Sequence, residues 1–107
     1  MGEKRRYSRM VVRGMSFDVS DGMRCCSGTV QDVSLTGLCL ADMTRRFGKN
    51  IDVYAVVATS GRRCFKFRVR PKWEEVSGVS KRMGVEIKEP SRAWLEYVQS
   101  LESQSVS

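Results

Sequence analysis

At 107 residues the chain is one domain by length, and a composition of 41% hydrophobic and 29% charged residues is that of a folded protein rather than a disordered one. Its formal net charge is +7 without a single histidine, which favours an anionic partner and leaves nucleic acid, an anionic membrane surface and a phosphorylated small molecule all open. The longest apolar run, residues 54 to 58, is far too short to span a bilayer, and no apolar region follows the charged start as a secretory leader requires.

Residues 1 to 9 lack apolar periodicity and read as a flexible basic arm. Strand character begins at Met10 and runs loosely to Val19. The Asp21-Gly22 pair marks a turn, and a second strand extends from about Arg24 to Val33. After a polar bend at Asp32 to Gly37, residues 38 to 41 resume strand character, and residues 47 to 50 form another turn. Ile51, Val53, Ala55 and Val57 then alternate with Asp52 and Tyr54, which places the first set on one face. Beyond a turn at Ser60-Gly61, Phe65, Phe67 and Val69 alternate with Lys66, Arg68 and Arg70, leading on to Lys72 and Trp73. Past Ser77-Gly78, Met83, Val85 and Ile87 alternate with Arg82, Gly84 and Glu86. No crossover helix separates these segments, so their pairing is antiparallel.

Pro90 ends strand pairing and suits the first turn of a helix. Trp94, Leu95, Val98 and Leu101 recur at helical spacing, so the C-terminal helix falls within residues 90 to 102 and covers the end of the sheet; residues 103 to 107 read as a frayed tail. About six one-sided strands over residues 10 to 89 close best into a small barrel, since closure removes exposed edges. The fold class is therefore all-β: a six-stranded antiparallel β-barrel with one C-terminal α-helix.

The four cysteines, at positions 25, 26, 39 and 64, show none of the paired spacing of a zinc site, and no metal is expected. They read as reduced structural thiols, which points to the cytoplasm.

Two polar clusters stand apart from this scaffold. The first is the arm itself, where Arg5 and Arg9 lie four apart among Lys4 and Arg6. The second is Asp32-Val33-Ser34-Leu35-Thr36-Gly37, where strand periodicity puts Asp32 and Ser34 on one face and Gly37 permits φ values closed to other residues. Alone, the second cluster also fits an ordinary Asx or Ser turn. Together, Arg-x-x-x-Arg at residues 5 to 9 and Asp-x-Ser-x-x-Gly at residues 32 to 37 resemble the two motifs of the PilZ domain, a bacterial receptor for cyclic di-GMP. They match at every defined position, and the resemblance covers roughly residues 4 to 102.

That resemblance implies a six-stranded barrel with a C-terminal helix and a non-catalytic receptor for cyclic di-GMP, with no cofactor. It implies ligand contacts from Arg5, Arg9, Asp32, Ser34 and Gly37, and output to a protein partner in motility, adhesion or polysaccharide export. The residue types suit the guest. A guanidinium matches a phosphate through two parallel hydrogen bonds, matches guanine O6 and N7, and stacks on a base. Asp32 offers an acceptor to guanine N–H groups, Ser34 a donor, and Gly37 a close approach of backbone. In the family, the residue before the first motif arginine is associated with the number of ligands held. Lys4 stands there, a point charge rather than a fork, so one ligand and an intercalated pair both stay open. Arg6 either adds a phosphate contact or is solvated. The resemblance would place Trp73 near a base, whereas a core or rim position is the commoner role of a tryptophan.

Ordering six arm residues costs about 6–12 kcal/mol, against about 1.5–3 kcal/mol for each charge-assisted hydrogen bond. Several such bonds and stacking are needed, so affinity is moderate and both motif arginines are required. Two other functions compete. A small basic barrel binding RNA or single-stranded DNA fits the charge, but requires aromatics on the face that carries the cations, whereas Phe65, Phe67 and Trp73 alternate away from Lys66, Arg68 and Arg70. A PilZ-like fold that binds no nucleotide and serves as an interaction module conflicts with two intact motifs. The expected partners are thus cyclic di-GMP and a downstream protein, with no nucleic acid or membrane span, in a monomer or weak dimer.

Overall fold

The computed structural model describes residues 9–47 and 52–106, with side chains to residue 103. Seven strands and one helix follow in order: β1 (Met10–Val11), β2 (Met15–Ser20), β3 (Cys25–Val33), β4 (Gly37–Thr44), β5 (Tyr54–Ser60), β6 (Arg63–Ser77), β7 (Ser80–Lys88) and α1 (Arg92–Val106). Neighbouring strands pair antiparallel in the order β3-β2-β5-β6-β7-β4, and β4 returns to β3, which closes a six-stranded barrel. β1 is an extra strand beside β3, with Met10 opposite Val33 and Val11 opposite Asp32. The stretch from Met10 to Val19 is therefore two strands on one neighbour, broken at Gly14, whose φ of 76° a side chain would resist.

The barrel is filled from every strand. Phe17, Val30, Leu38, Leu40, Val56, Val69, Met83 and Val85 are all buried in one apolar cluster. β6 and β7 alternate as their sequences dictate, with Phe65, Phe67, Val69, Met83, Val85 and Ile87 inward. β5 differs from the expectation. Tyr54, Val56 and Ala58 are buried while Ala55 is exposed and Val53 and Val57 are half-buried. Both faces of this run are apolar, so its own period is ambiguous. Its neighbour decides, because Tyr54, Val56 and Ala58 lie opposite the inward Val69, Phe67 and Phe65.

Helix α1 starts on a serine cap, with the Ser91 hydroxyl accepting from Trp94 N at 3.2 Å. Trp94 and Val98 are fully buried, and the Trp94 ring stands edge-on to Phe65 and Phe67 at 5.1 and 4.8 Å between centroids. The helix thus plugs one end of the barrel. It continues to Val106, past the expected end at residue 102, because Ser103-Gln104-Ser105 contains neither proline nor glycine to stop it. No described helix is long and apolar enough to cross a membrane.

Three irregularities shape the wall that matters below. Between Val30 and Asp32, β3 advances two residues while β4 advances one. Between Leu40 and Met43, β4 advances three against two on β7. Between Pro71 and Trp73, β6 advances two against one on β7. Each is a β-bulge, and each reverses which side chains face out from that point on.

Candidate functional site

The bulge in β3 makes Asp32 available. By strict alternation Asp32 would follow Val30 into the core; the extra residue keeps Val30 buried and turns Asp32 to the outside. There its Oδ1 accepts from Arg9 Nη1 at 2.7 Å, so the last arginine of the first motif touches the first residue of the second. Lys4, Arg5 and Arg6 lie outside the described residues, as do the arm's other residues up to Ser8, residues 48 to 50 where a turn is expected, and Ile51.

Ser34 and Gly37 close a tight turn. Ser34 N donates to Gly37 O at 2.9 Å, and Ile87 N donates to Thr36 O at 2.8 Å. Trp94 Nε1 donates to Ser34 O at 3.3 Å from the helix, and Ser34 is itself buried. Gly37 is not in the left-handed region, contrary to the expectation drawn from its turn-like setting. Its lack of a side chain serves close approach instead: a Cβ there would stand 3.2 Å from Val85 O and 3.3 Å from Ser34 Oγ.

Read across the outside of the barrel, Asp32 lies opposite Cys39, Cys39 opposite Gly84, and Gly84 opposite Trp73. This row crosses β3, β4, β7 and β6. Trp73 joins it through the bulge after Pro71, which turns the indole out, 41% exposed, rather than in line with Phe65 and Phe67 as the alternation implied. Its ring lies against the bare backbone of Gly84, where a Cβ would stand 2.1 Å from Nε1. The objection that every aromatic faces away from the cations therefore fails for Trp73 and stands for the two phenylalanines, which are in the core.

One step along the wall, Arg82 places its guanidinium 5.9 Å from the Trp73 ring centroid and pairs with Glu75. Cys39 is sealed beneath this layer. Burial pushes its thiol pKa up, the Asp32 carboxylate adds to the rise, and Arg82 and Arg9 oppose it. Beyond Arg82 a cleft of about 680 Å³ opens, bordered by Val11, Gln31, Asp42, Glu75, Lys81 and Arg82, and within the size range of small-molecule sites. Asp42, at the β4 bulge, holds a φ of 61°, unusual for a residue with a side chain. Lys81 is buried and gives its ammonium to Phe47 O at 2.6 Å and to Glu74 Oε2 at 3.1 Å.

Arg82, Glu75 and Gly84 were not singled out by sequence reasoning. The alternation of β7 did place Arg82 and Gly84 outward, but only the bulge in β6 brings Trp73 and Glu75 opposite them.

No protein-family model matches the sequence, and no curated protein matches it either. Solved structures do. The Bacillus subtilis inhibitor of motility, MotI/DgrA, superposes with a TM-score of 0.79 at 9% identity, over 97% of this chain and 52% of that one. YcgR from Escherichia coli, solved in complex with c-di-GMP, superposes with a TM-score of 0.71 at 17% identity, over 96% of this chain and 48% of that one. The chain thus spans about half the length of each. At these identities it is the path of the backbone that is shared; both relatives are PilZ-domain proteins, and the chain has the PilZ fold.

Proposed function

We propose that the chain is a non-catalytic receptor for cyclic di-GMP. The observation that carries this reading is the Arg9–Asp32 contact at 2.7 Å, which joins the two motifs on the barrel wall. The fold is that of a protein solved with this ligand bound, and the net charge of +7 suits a doubly anionic guest. In the free protein Asp32 shields the Arg9 guanidinium. Such a pair at a partly exposed site stabilises by only about 0.2–1 kcal/mol, whereas a phosphate hydrogen bond to the guanidinium contributes about 1.5–3 kcal/mol. Exchange of Asp32 for phosphate is therefore favourable, and it frees the carboxylate for guanine N–H donors.

Arg5 and Arg9 then grip phosphate, Asp32 and Ser34 read the base and phosphate edges, and Gly37 keeps the backbone close. Lys4 and Arg6 add cationic charge at the arm, and Trp73 meets a base. The altered surface is read by a protein partner in the cytoplasm, and the motility function named for MotI/DgrA makes motility a natural setting. Calorimetric titration with cyclic di-GMP, with GTP and an oligonucleotide as controls, tests this. Selective uptake of the dinucleotide that disappears in Arg9→Ala is the expected result. Uptake of the oligonucleotide alone, falling steeply with salt, would replace the receptor with a nucleic-acid-binding barrel. Binding of neither would leave an interaction module.

A further inference from the structure

We propose that the outer face of β6 and β7 is a docking surface for an anionic membrane leaflet. The inference uses no residue of the nucleotide site and stands without it.

The face is a ladder of cations. Phe65, Phe67 and Val69 of β6 point into the core, so Lys66, Arg68 and Arg70 point out, and all three are exposed. Alternate residues of a strand stand about 6.6–6.8 Å apart, which spreads the three over about 13 Å. Lys88 of β7 lies opposite Arg68 and sets a fourth charge beside the middle rung. No salt bridge among the described residues engages any of the four. The nearby acids are turned elsewhere or lie at the rim. Glu86, opposite Arg70, is 3.9 Å from Lys72. Asp18, two strands across from Lys66, accepts from Ser27 Oγ. Glu89 borders the patch beyond Lys88 and leaves it net positive.

The surroundings of the ladder decide what it takes. Ala55 and Val57 of β5 lie opposite Arg68 and Lys66, and no aromatic side chain emerges between the rungs. A protein partner draws most of its affinity from anchors seated in pockets, and single-stranded nucleic acid from stacking on aromatics; this face offers neither. A leaflet requires neither. Each Lys or Arg held near an anionic surface strengthens binding about fivefold on its own, so four strengthen it several-hundredfold. The four project to the same side from two adjacent strands, so a flat surface meets them together. Arg68 and Arg70 can each take a lipid phosphate through two parallel hydrogen bonds.

Cosedimentation of the full chain with phosphatidylglycerol vesicles, and with phosphatidylcholine vesicles as the neutral reference, tests the surface without nucleotide. Anionic vesicles should retain the protein and neutral ones should not. Retention should vanish at about 1 M salt, where the screening length shrinks to about 3 Å. Arg68→Gln combined with Lys88→Gln removes the middle of the ladder and should weaken vesicle binding about thirtyfold. Arg13→Gln combined with Arg46→Gln removes the same charge from exposed positions outside the patch and should weaken it less than about threefold. Matching melting temperatures would show that both double variants remain folded. Equal losses in the two variants would reduce the effect to net charge and overturn the surface, as would wild-type protein that stays in the supernatant. Capture of poly-L-glutamate or of a single-stranded oligonucleotide in place of vesicles would assign the face to an acidic protein or to nucleic acid, and would also overturn it. None of these outcomes touches the receptor reading, whose own test is titration with cyclic di-GMP.

Discussion

Trp94 Nε1 donates to the main-chain carbonyl of Ser34 at 3.3 Å, which fastens the C-terminal helix to the turn that carries the second motif. The same ring stands edge-on to Phe65 and Phe67 inside the barrel. Substitution Trp94→Phe keeps most of the ring packing and removes the donor, leaving a buried carbonyl unpartnered. The expected loss is about 1–3 kcal/mol, measured by urea denaturation. Cyclic di-GMP affinity should fall as well, because the backbone under Ser34 loses its anchor.

Two glycines should behave in opposite ways. In Gly28→Ala the new Cβ would stand 2.3 Å from Ala41 O and under 3 Å from the Phe17 ring, in the tightly packed middle of the barrel. A loss of about 1–3 kcal/mol or more follows, visible in thermal melting. In Gly84→Ala the obstruction is the half-exposed Trp73 ring, which can swing into solvent. Melting should change little, while Trp73 emission shifts to the red and ligand affinity drops.

The thiols divide into two classes. Cys25 and Cys64 are exposed and should be alkylated rapidly, as read by mass spectrometry after limited labelling. Cys26 and Cys39 are buried and should react slowly. For Cys39 the raised pKa adds a second barrier: the thiolate fraction at any given pH is lower than for an ordinary thiol, so its labelling should increase only at more alkaline pH.

Lys81 holds one end of the barrel together from the inside. Lys81→Ala removes its bonds to Phe47 O and Glu74 and leaves the carbonyl without its donor. Because the Glu74 side chain is 44% exposed, the expected cost is about 1–3 kcal/mol rather than that of a fully buried pair, by chemical denaturation. Lys81→Met, which preserves the stem, should cost less.

The parts legible in the sequence are those where one letter pattern admits one arrangement. Phe65, Phe67 and Val69 on β6 and Met83, Val85 and Ile87 on β7 alternate with charged or small residues, and all six face inward as read. Trp94 and Val98 mark the buried stripe of α1. β5 was not legible because Tyr54 to Ala58 is apolar on both sides; only pairing with β6 resolves it. The outward placement of Asp32 and Trp73 depends on single extra residues in their strands, and a bulge leaves no mark on period-two counting until the partner strand is known. For the same reason Arg82 and Glu75, far from either motif in sequence, could not be linked to them.

Strand length therefore acts here as a selector between two chemistries. Deleting Lys72 would only straighten β6 and leave Trp73 opposite Gly84, whereas one residue inserted into β7 opposite Lys72 would cancel the bulge and bring Trp73 into step with Phe65 and Phe67, facing the oily interior. Homologues with that extra residue in β7 should accordingly differ in guest preference, even with both motifs letter-perfect.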